Sequence, residues 1–222
     1  MKTIVLTFDD AVRSQLTNVA PVLRRFGFGA TFFVCRFTDE WRAQHAEHLM
    51  GLEELRDLQR QGFEIGNHTW NHPDMRTLSE EQNAREIDAL SEWLNSGGVA
   101  EAPVFAYPGG PYAANAAPLL RQRGFRAART TENAAWDRAN GDPMRVPATP
   151  IQGTDDALFY KAISYATDEH PAVILFHGVP DLVHPWVHTP PECFNRWMKY
   201  LHDNSFRVIG MAQACEEVRG ER

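Results

Sequence analysis

Thr3-Ile4-Val5-Leu6-Thr7-Phe8-Asp9-Asp10 is the stretch that decides the fold. The run from Ile4 to Phe8 is apolar and rich in β-branched residues, and it stops at two adjacent carboxylates. It is too short for a signal-peptide core or a membrane span and reads as a structural strand. On that reading the chain as given is expected to stay in the cytoplasm.

Outward from this strand the sequence alternates short apolar runs with amphipathic segments of helical length. Leu16, Val19, Val22, Leu23 and Phe26 recur at helical spacing, with Gly27 as the stop. Strands are expected over residues 30–35, 63–67, 104–107, 126–130, 145–148, 173–176 and 206–211. Helical stripes lie between them: Leu49 to Leu58, the segment opened by Ser79-x-x-Gln82 and carrying Ile87, Leu90 and Leu94, residues 113–123, a helix capped by Thr154, and one carrying Phe194, Trp197, Met198 and Leu201. A strand–helix rhythm predicts a parallel sheet. Seven or eight such units in 222 residues predict a compact (β/α)7–8 barrel forming one domain over residues 1–222.

Composition narrows the function. Lys plus Arg number 22 against 29 Asp plus Glu, a net charge of −7 with no basic cluster, so a nucleic-acid partner is not expected. No apolar stretch approaches the roughly 20 residues of a membrane helix, so no membrane partner is expected either. Cys35, Cys193 and Cys215 are far apart and form no CxxC pair, which argues against a disulfide framework or a zinc ribbon.

In parallel α/β folds the active site gathers at the carboxyl ends of the strands. The residues just past the expected strands are Asp9-Asp10, His68-Thr69-Trp70-Asn71-His72, Tyr107-Pro108-Gly109-Gly110 and His177. Two carboxylates and three imidazoles therefore converge on one rim. His68 and His72 are four apart, so a helical turn would put both rings on one side, where they can chelate one ion. A carboxylate from the first strand completes a His₂Asp set that leaves a coordination position open. Asp155-Asp156 serves as a control: it precedes a helical stripe and reads as first-turn acids with no chemistry.

Thr7-Phe8-Asp9-Asp10, His68-Thr69-x-x-His72, Phe105-Ala106-Tyr107-Pro108-Gly109-Gly110 and Leu175-Phe176-His177 occur in the order of the polysaccharide deacetylase (NodB homology, carbohydrate esterase family 4) motifs, which the chain resembles over residues 3–211. The resemblance implies a distorted (β/α) barrel. It implies that Asp10, His68 and His72 bind a divalent metal, zinc first, with cobalt, nickel, iron or manganese as alternatives. It makes Asp9 the general base toward the metal-bound water, His177 the acid that protonates the leaving amine, and the backbone near Gly109 an oxyanion donor. Amide hydrolysis requires these parts: an activated water, a stabilised oxyanion and a protonated leaving group.

The sequence also departs from the family pattern. Ala11 stands where many members have Gly, and Ala106 where many have an Arg that orients the base. The fourth motif has no clean match: Arg129-Thr130-Thr131 occupies its stretch and Trp136-Asp137 follows late. Arg129 is expected to take over a base-orienting or substrate role. The loop from Gly178 to Pro191 is expected to form a substrate wall, with Trp186 stacking on a ring and His188 hydrogen-bonding; Tyr107, Pro108 and Gly109 are expected to line the same cleft. His45, His48, His170 and His202 read as surface residues, and Trp70 reads equally as a cleft or a packing residue.

The leading expectation is a metal-dependent hydrolase acting on an N-acetylated carbohydrate. Its rivals are hydrolysis of another C–N bond in a small amide on the same scaffold, and a silent carbohydrate-binding module.

Overall fold

A computed structural model describes residues 1–218. Eight strands form one sheet: β1 (Thr3–Phe8), β2 (Thr31–Val34), β3 (Glu64–Asn67), β4 (Val104–Ala106), β5 (Ala127–Arg129), β6 (Thr149–Pro150), β7 (Ala172–Phe176) and β8 (Arg207–Ile209). The order is β5-β4-β3-β2-β1-β7-β6, and every ladder in it is parallel. The first half of β1 also pairs with β8, parallel. The curled parallel sheet agrees with the expected (β/α) barrel.

Around it lie α1 (Ala20–Phe26), α2 (Asp39–Gln44), α3 (Leu52–Arg60), α4 (Glu80–Ser96), α5 (Ala117–Gln122), α6 (Asp156–Ser164), α7 (Pro191–Asp203) and α8 (Met211–Val218). Local signals set several ends. Gly27 closes α1 at φ 68°, and Ser79 and Gln82 form the reciprocal cap of α4. Among the described residues no helix is long and apolar enough to cross a membrane.

Some boundaries differ from the expectation. The cap of α6 is Asp155, whose carboxylate accepts from the Leu158 amide; Thr154 lies one residue outside. The control pair Asp155-Asp156 is thus structural, and Asp156 also accepts from Arg196 and from the Trp197 indole. The first helix is preceded by a π-helical turn, Gln15–Val19. The strand expected over 145–148 shrinks to one bridge, Val146 with Arg129, before the chain pairs with β7 as β6. Residues 146–150 thereby hydrogen-bond to both β5 and β7, and Arg145 belongs to a 3-10 turn.

Strand parity positions the site. In β1, Ile4, Leu6 and Phe8 pack into the core that includes Leu23, Leu55, Phe194 and Trp197 from the helices. Val5 belongs instead to the barrel interior, with Phe33, Val104, Ala106, Ala127, Val173 and Ile209. Because side chains alternate along a strand, the interior series runs 5-7-9 in β1, 31-33-35 in β2, 104-106 in β4, 127-129 in β5 and 173-175-177 in β7. Continued past the last strand residues, these series deliver Asp9, Cys35, Arg129 and His177 to one mouth of the barrel. At the opposite mouth Glu64 accepts from the Thr31 hydroxyl and from the Ala212 and Gln213 amides at 2.8 Å, which ties the first turn of α8 to the sheet.

Candidate active site

The mouth at the strand ends encloses a cavity of about 560 Å³ whose floor carries Asp9, Asp10, His68, His72 and His177. One ligand atom from each of Asp10, His68 and His72 lies within 4.8 Å of the other two. Asp10 Oδ1 is 3.7 Å from His68 Nε2 and 3.6 Å from His72 Nε2, while Oδ2 is 3.9 Å from His177 Nε2.

These distances arise without a helix. The expected helical turn over 68–72 is absent: Thr69 and His72 adopt φ of 70° and 59°. The segment is a tight loop in which Thr69 Oγ1 accepts from the His72 amide at 3.1 Å and Asn67 Oδ1 accepts from the Thr69 amide at 2.9 Å. Asp10 and Ala11 are also left-handed, at 76° and 51°. Non-glycine residues rarely adopt that region, and such strain concentrates at functional sites. Ala11 holds that region without the conformational freedom of a glycine.

The donor set fits a divalent cation. His68 Nδ1 lies 2.7 Å from the Ala106 carbonyl, an acceptor only, so Nδ1 carries the hydrogen. Burial pushes the His68 imidazole down to about 4, so it is neutral at pH 7 and Nε2 presents a lone pair. That lone pair faces Asp9 Oδ2 at 3.5 Å and Asp10 Oδ1 at 3.7 Å. Acceptors facing acceptors at this separation are too far apart to hydrogen-bond and suitably placed to share an ion. The His68 to carbonyl bond is the outer support usual for a ligating histidine. Burial pushes the Asp10 carboxyl up, but the imidazoles of His72, His177, His68 and His184 outweigh it and hold the group below the usual carboxylate range. The Cys35 thiol contacts Asp10 Oδ1 at 3.5 Å; burial, with Asp10 beside it, pushes that thiol up, so it stays protonated and donates.

Asp9 is held from several sides. Arg129, fully buried, donates from Nη2 to Asp9 Oδ2 at 2.5 Å and lies over the Phe33 ring. Ala106 and Arg129 are in-register partners on β4 and β5, so the guanidinium enters from the strand next to the position where Ala106 offers none. Among the described residues Asp9 Oδ1 has no hydrogen-bond partner, which leaves it free to accept a proton. Gln15, buried in the π-helical turn, donates from Nε2 to the backbone carbonyls of Asp9 and His177 and pins the ends of β1 and β7 together.

The other expected contacts divide. Gly109 and Trp186 line the cavity, and Trp186 is 68% exposed. Tyr107 is fully buried, its hydroxyl donating to the Met144 carbonyl at 3.0 Å, and neither it nor Pro108 reaches the lining. His188 is corrected in the same way. It lies outside the lining, where its carbonyl accepts from Gly153, while His184 takes the expected place. His184 Nδ1 is 3.4 Å from Asp10 Oδ2 and 3.7 Å from Asp181 Oδ2. Asp181 also accepts from the amides of Gly178, Val183 and His184 and so fixes the loop that carries this ring. Burial pushes His184 down, but Asp181 and Asp10 outweigh it and raise the imidazole.

Sequence reasoning also passed over Phe37 and Trp41, which follow β2 and line the cavity; reading the end of that strand as the others were read would have found them. Trp70 packs on Trp93 and under Arg36, away from the lining. Trp136 is core, Asp137 is half-buried, and neither lines the cavity, so the late Trp-Asp pair does not reach the site.

Residues 1–128 match the polysaccharide deacetylase family. The chain belongs to that family. Bacillus subtilis YxkH, named as a candidate polysaccharide deacetylase, is 25% identical over 140 residues, 63% of this chain and 48% of that protein. A second Bacillus subtilis relative, the peptidoglycan-N-acetylmuramic acid deacetylase PdaC, is 34% identical over 88 residues, 39% of this chain and 17% of its own length. The chain spans about half the length of the first two curated relatives it matches. The solved structure of PdaC superposes with a TM-score of 0.65 at 21% identity, covering 100% of this chain and 93% of that one. A family 4 carbohydrate esterase from Bacillus anthracis, described as a pseudoenzyme, superposes at 0.67 and 17% identity, covering 97% and 66%. At these identities the two superpositions establish the fold of this family member.

Proposed function

We propose that this family member is a divalent-metal-dependent hydrolase that removes the acetyl group from an N-acetylated sugar. The observation that carries the reading is the cluster at the barrel mouth: a neutral His68 lone pair, His72 and Asp10 within ion-sharing distance, beside an Asp9 with one oxygen tied and one free.

Asp10, His68 and His72 would hold the ion. A zinc ion or a similar one supplies Lewis acidity and lowers the pKa of water toward about 7. Asp9 accepts the proton of the attacking water at Oδ1, while Arg129 fixes the carboxylate through Oδ2. His177, at the end of β7 and partly open to the cavity, donates a proton to the departing amine nitrogen. The Gly110 amide is bonded to the Tyr107 carbonyl at 2.9 Å and the Tyr107 amide to the Arg129 carbonyl at 3.1 Å, so the amide of Gly109, which lines the cavity, would be the donor toward the acyl oxygen. The left-handed turn there requires glycine at 110: at φ 97° a Cβ would lie 2.1 Å from Thr131 Oγ1.

The test is acetate release from N-acetylglucosamine oligomers by chelated protein with and without added zinc, alongside a panel of cyclic amides. Acetate is expected only with metal. Asp9→Asn is expected to abolish turnover while the metal content stays at that of the unaltered chain. Turnover of a cyclic amide without acetate release supports the small-amide rival, and metal binding with no turnover supports the silent module.

A further inference from the structure

Every backbone amide of the loop from His68 to His72 has a partner, and none of the bonds is helical. The His68 amide donates to the Val34 carbonyl at 2.9 Å and the Trp70 amide to the Glu86 carbonyl at 3.0 Å. The Asn71 amide donates to Glu86 Oε2 at 2.7 Å. The remaining two belong to the residues held in the left-handed region. The Thr69 amide donates to Asn67 Oδ1 at 2.9 Å, and the His72 amide donates to Thr69 Oγ1 at 3.1 Å. Thr69 is β-branched, so its φ of 70° is an outlier that persists only where the surroundings over-determine it.

The group that determines it lies on the far side of the sheet from the barrel interior. Along β3 the odd positions face the helices: Ile65 joins the core that contains Leu55 and Leu90, and Asn67 is fully buried beneath α4. Asn67 Nδ2 donates to the Ile87 carbonyl at 3.2 Å, to the Ser91 hydroxyl at 3.1 Å and to Glu101 Oε1 at 2.7 Å. The Ser91 hydroxyl also lies 3.0 Å from that same Oε1 and can donate to it. A carbonyl and a carboxylate only accept, so they require the amino group of Asn67 on their side and leave Oδ1 for the Thr69 amide. The bond to Glu101 is the shortest of the three.

Glu101 precedes β4 and lines a hollow of about 400 Å³ on the outer surface with Ser91 and Asn95, away from the catalytic cavity. A series of hydrogen bonds therefore runs from this carboxylate through Asn67 and Thr69 to the backbone of His72. Both left-handed residues of the loop depend on it.

Resting on the metal-site reading above, we infer that Glu101 is a positioning residue of the His68–His72 loop: it holds the Asn67 amide in the orientation that keeps Thr69 and His72 left-handed, and so presents the His72 ring to the ion.

The test pairs a metal-free measurement with a metal titration, both on the full chain. In the chelated protein, Glu101→Ala is expected to speed hydrogen exchange of the Thr69 and His72 amides about tenfold and to leave the Leu158 amide of α6 unchanged. Zinc affinity, read by competition with a chelating indicator, is expected to fall about tenfold in Glu101→Ala and about thirtyfold in Asn67→Ala. Because Glu101 acts through Asn67, the double variant is expected to bind no more weakly than Asn67→Ala alone. Glu101→Gln still offers an acceptor and is expected to stay within about twofold of the parent. Asp156→Ala, which loses the bonds to Arg196 and Trp197 far from the loop, is expected to lower the unfolding temperature without changing zinc affinity. Unchanged exchange in Glu101→Ala, additive losses in the double variant, or an equal loss of affinity in Asp156→Ala would each overturn the inference. Failure of the unaltered chain to bind zinc would overturn the metal-dependent reading, and the exchange rates would then decide the role of Glu101 by themselves.

Discussion

Arg129 at the end of β5 donates to Asp9 at the end of β1, across 120 residues of chain and with both side chains buried. The bond leaves Asp9 with one engaged oxygen and one free one, the arrangement a general base needs to be oriented and still accept a proton. Arg129→Ala is expected to destabilise the protein by about 3–5 kcal/mol, because it strands a buried carboxylate. Arg129→Lys keeps the charge and loses the planar fork, and is expected to fold while lowering kcat on the order of a hundredfold. Thermal denaturation and the kcat of the lysine variant separate the two effects; an unchanged kcat in a folded Arg129→Lys would remove the orienting role.

His72 is held in the left-handed region, and among the described residues its ring nitrogens make no hydrogen bond, Nε2 lying 3.6 Å from Asp10 Oδ1, so its ring is available to an ion. His72→Ala is expected to reduce bound metal after dialysis from about one per chain to near none, with little change in the far-ultraviolet spectrum. Elemental analysis checks this. Full occupancy in the variant would refute the ligand set.

His184 touches Asp10 through the oxygen that does not face His68 and His72. His184 Nδ1 makes no hydrogen bond there, so the 3.4 Å contact is electrostatic; removing an outer neighbour of a proposed ligating carboxylate is expected to weaken metal binding about 10–100-fold. His184→Phe is expected to weaken divalent-ion affinity within that range, read by competition with a chelating indicator. Affinity equal to the parent would confine His184 to lining the cavity.

Glu64 provides a pH test far from the metal site. Burial raises its carboxyl above 4.5, outweighing the Thr31 hydroxyl and the Ala212 and Gln213 amides that favour the charged form. Between 4.5 and the raised folded value, the unfolded chain has released this proton and the native chain still holds it. The contribution of Glu64 to stability is therefore complete below 4.5 and is lost as pH rises through the folded pKa. Glu64→Gln carries no such dependence. The stability difference, parent minus variant, is expected to fall across that window and level off above it, as measured by urea unfolding at stepped pH. A flat difference would show that Glu64 titrates normally.

The barrel, and the placing of most of the charged residues at its mouth, follow from local patterns in the chain. Parallel-sheet strands carry their signal locally, as short apolar runs ended by Gly, Pro or charge, and the residues just past them fall at one end by topology. Asp9, Asp10, His68, His72 and His177 were legible for that reason. The tertiary structure decided what depends on contacts between distant segments. The turn from His68 to His72 is left-handed loop rather than helix, because Asn67 and Thr69 bond its amides. Arg129 reaches Asp9 only because β4 and β5 run in register, with Ala106 leaving the interior open. His184 rather than His188 enters the cavity because Asp181 folds the loop beneath it. Phe37 and Trp41 line the same cavity from another strand end, Trp41 stacking on His184. A residue's position past a strand is written in its own neighbourhood; the group it meets there is set by the register and loop paths of the whole sheet.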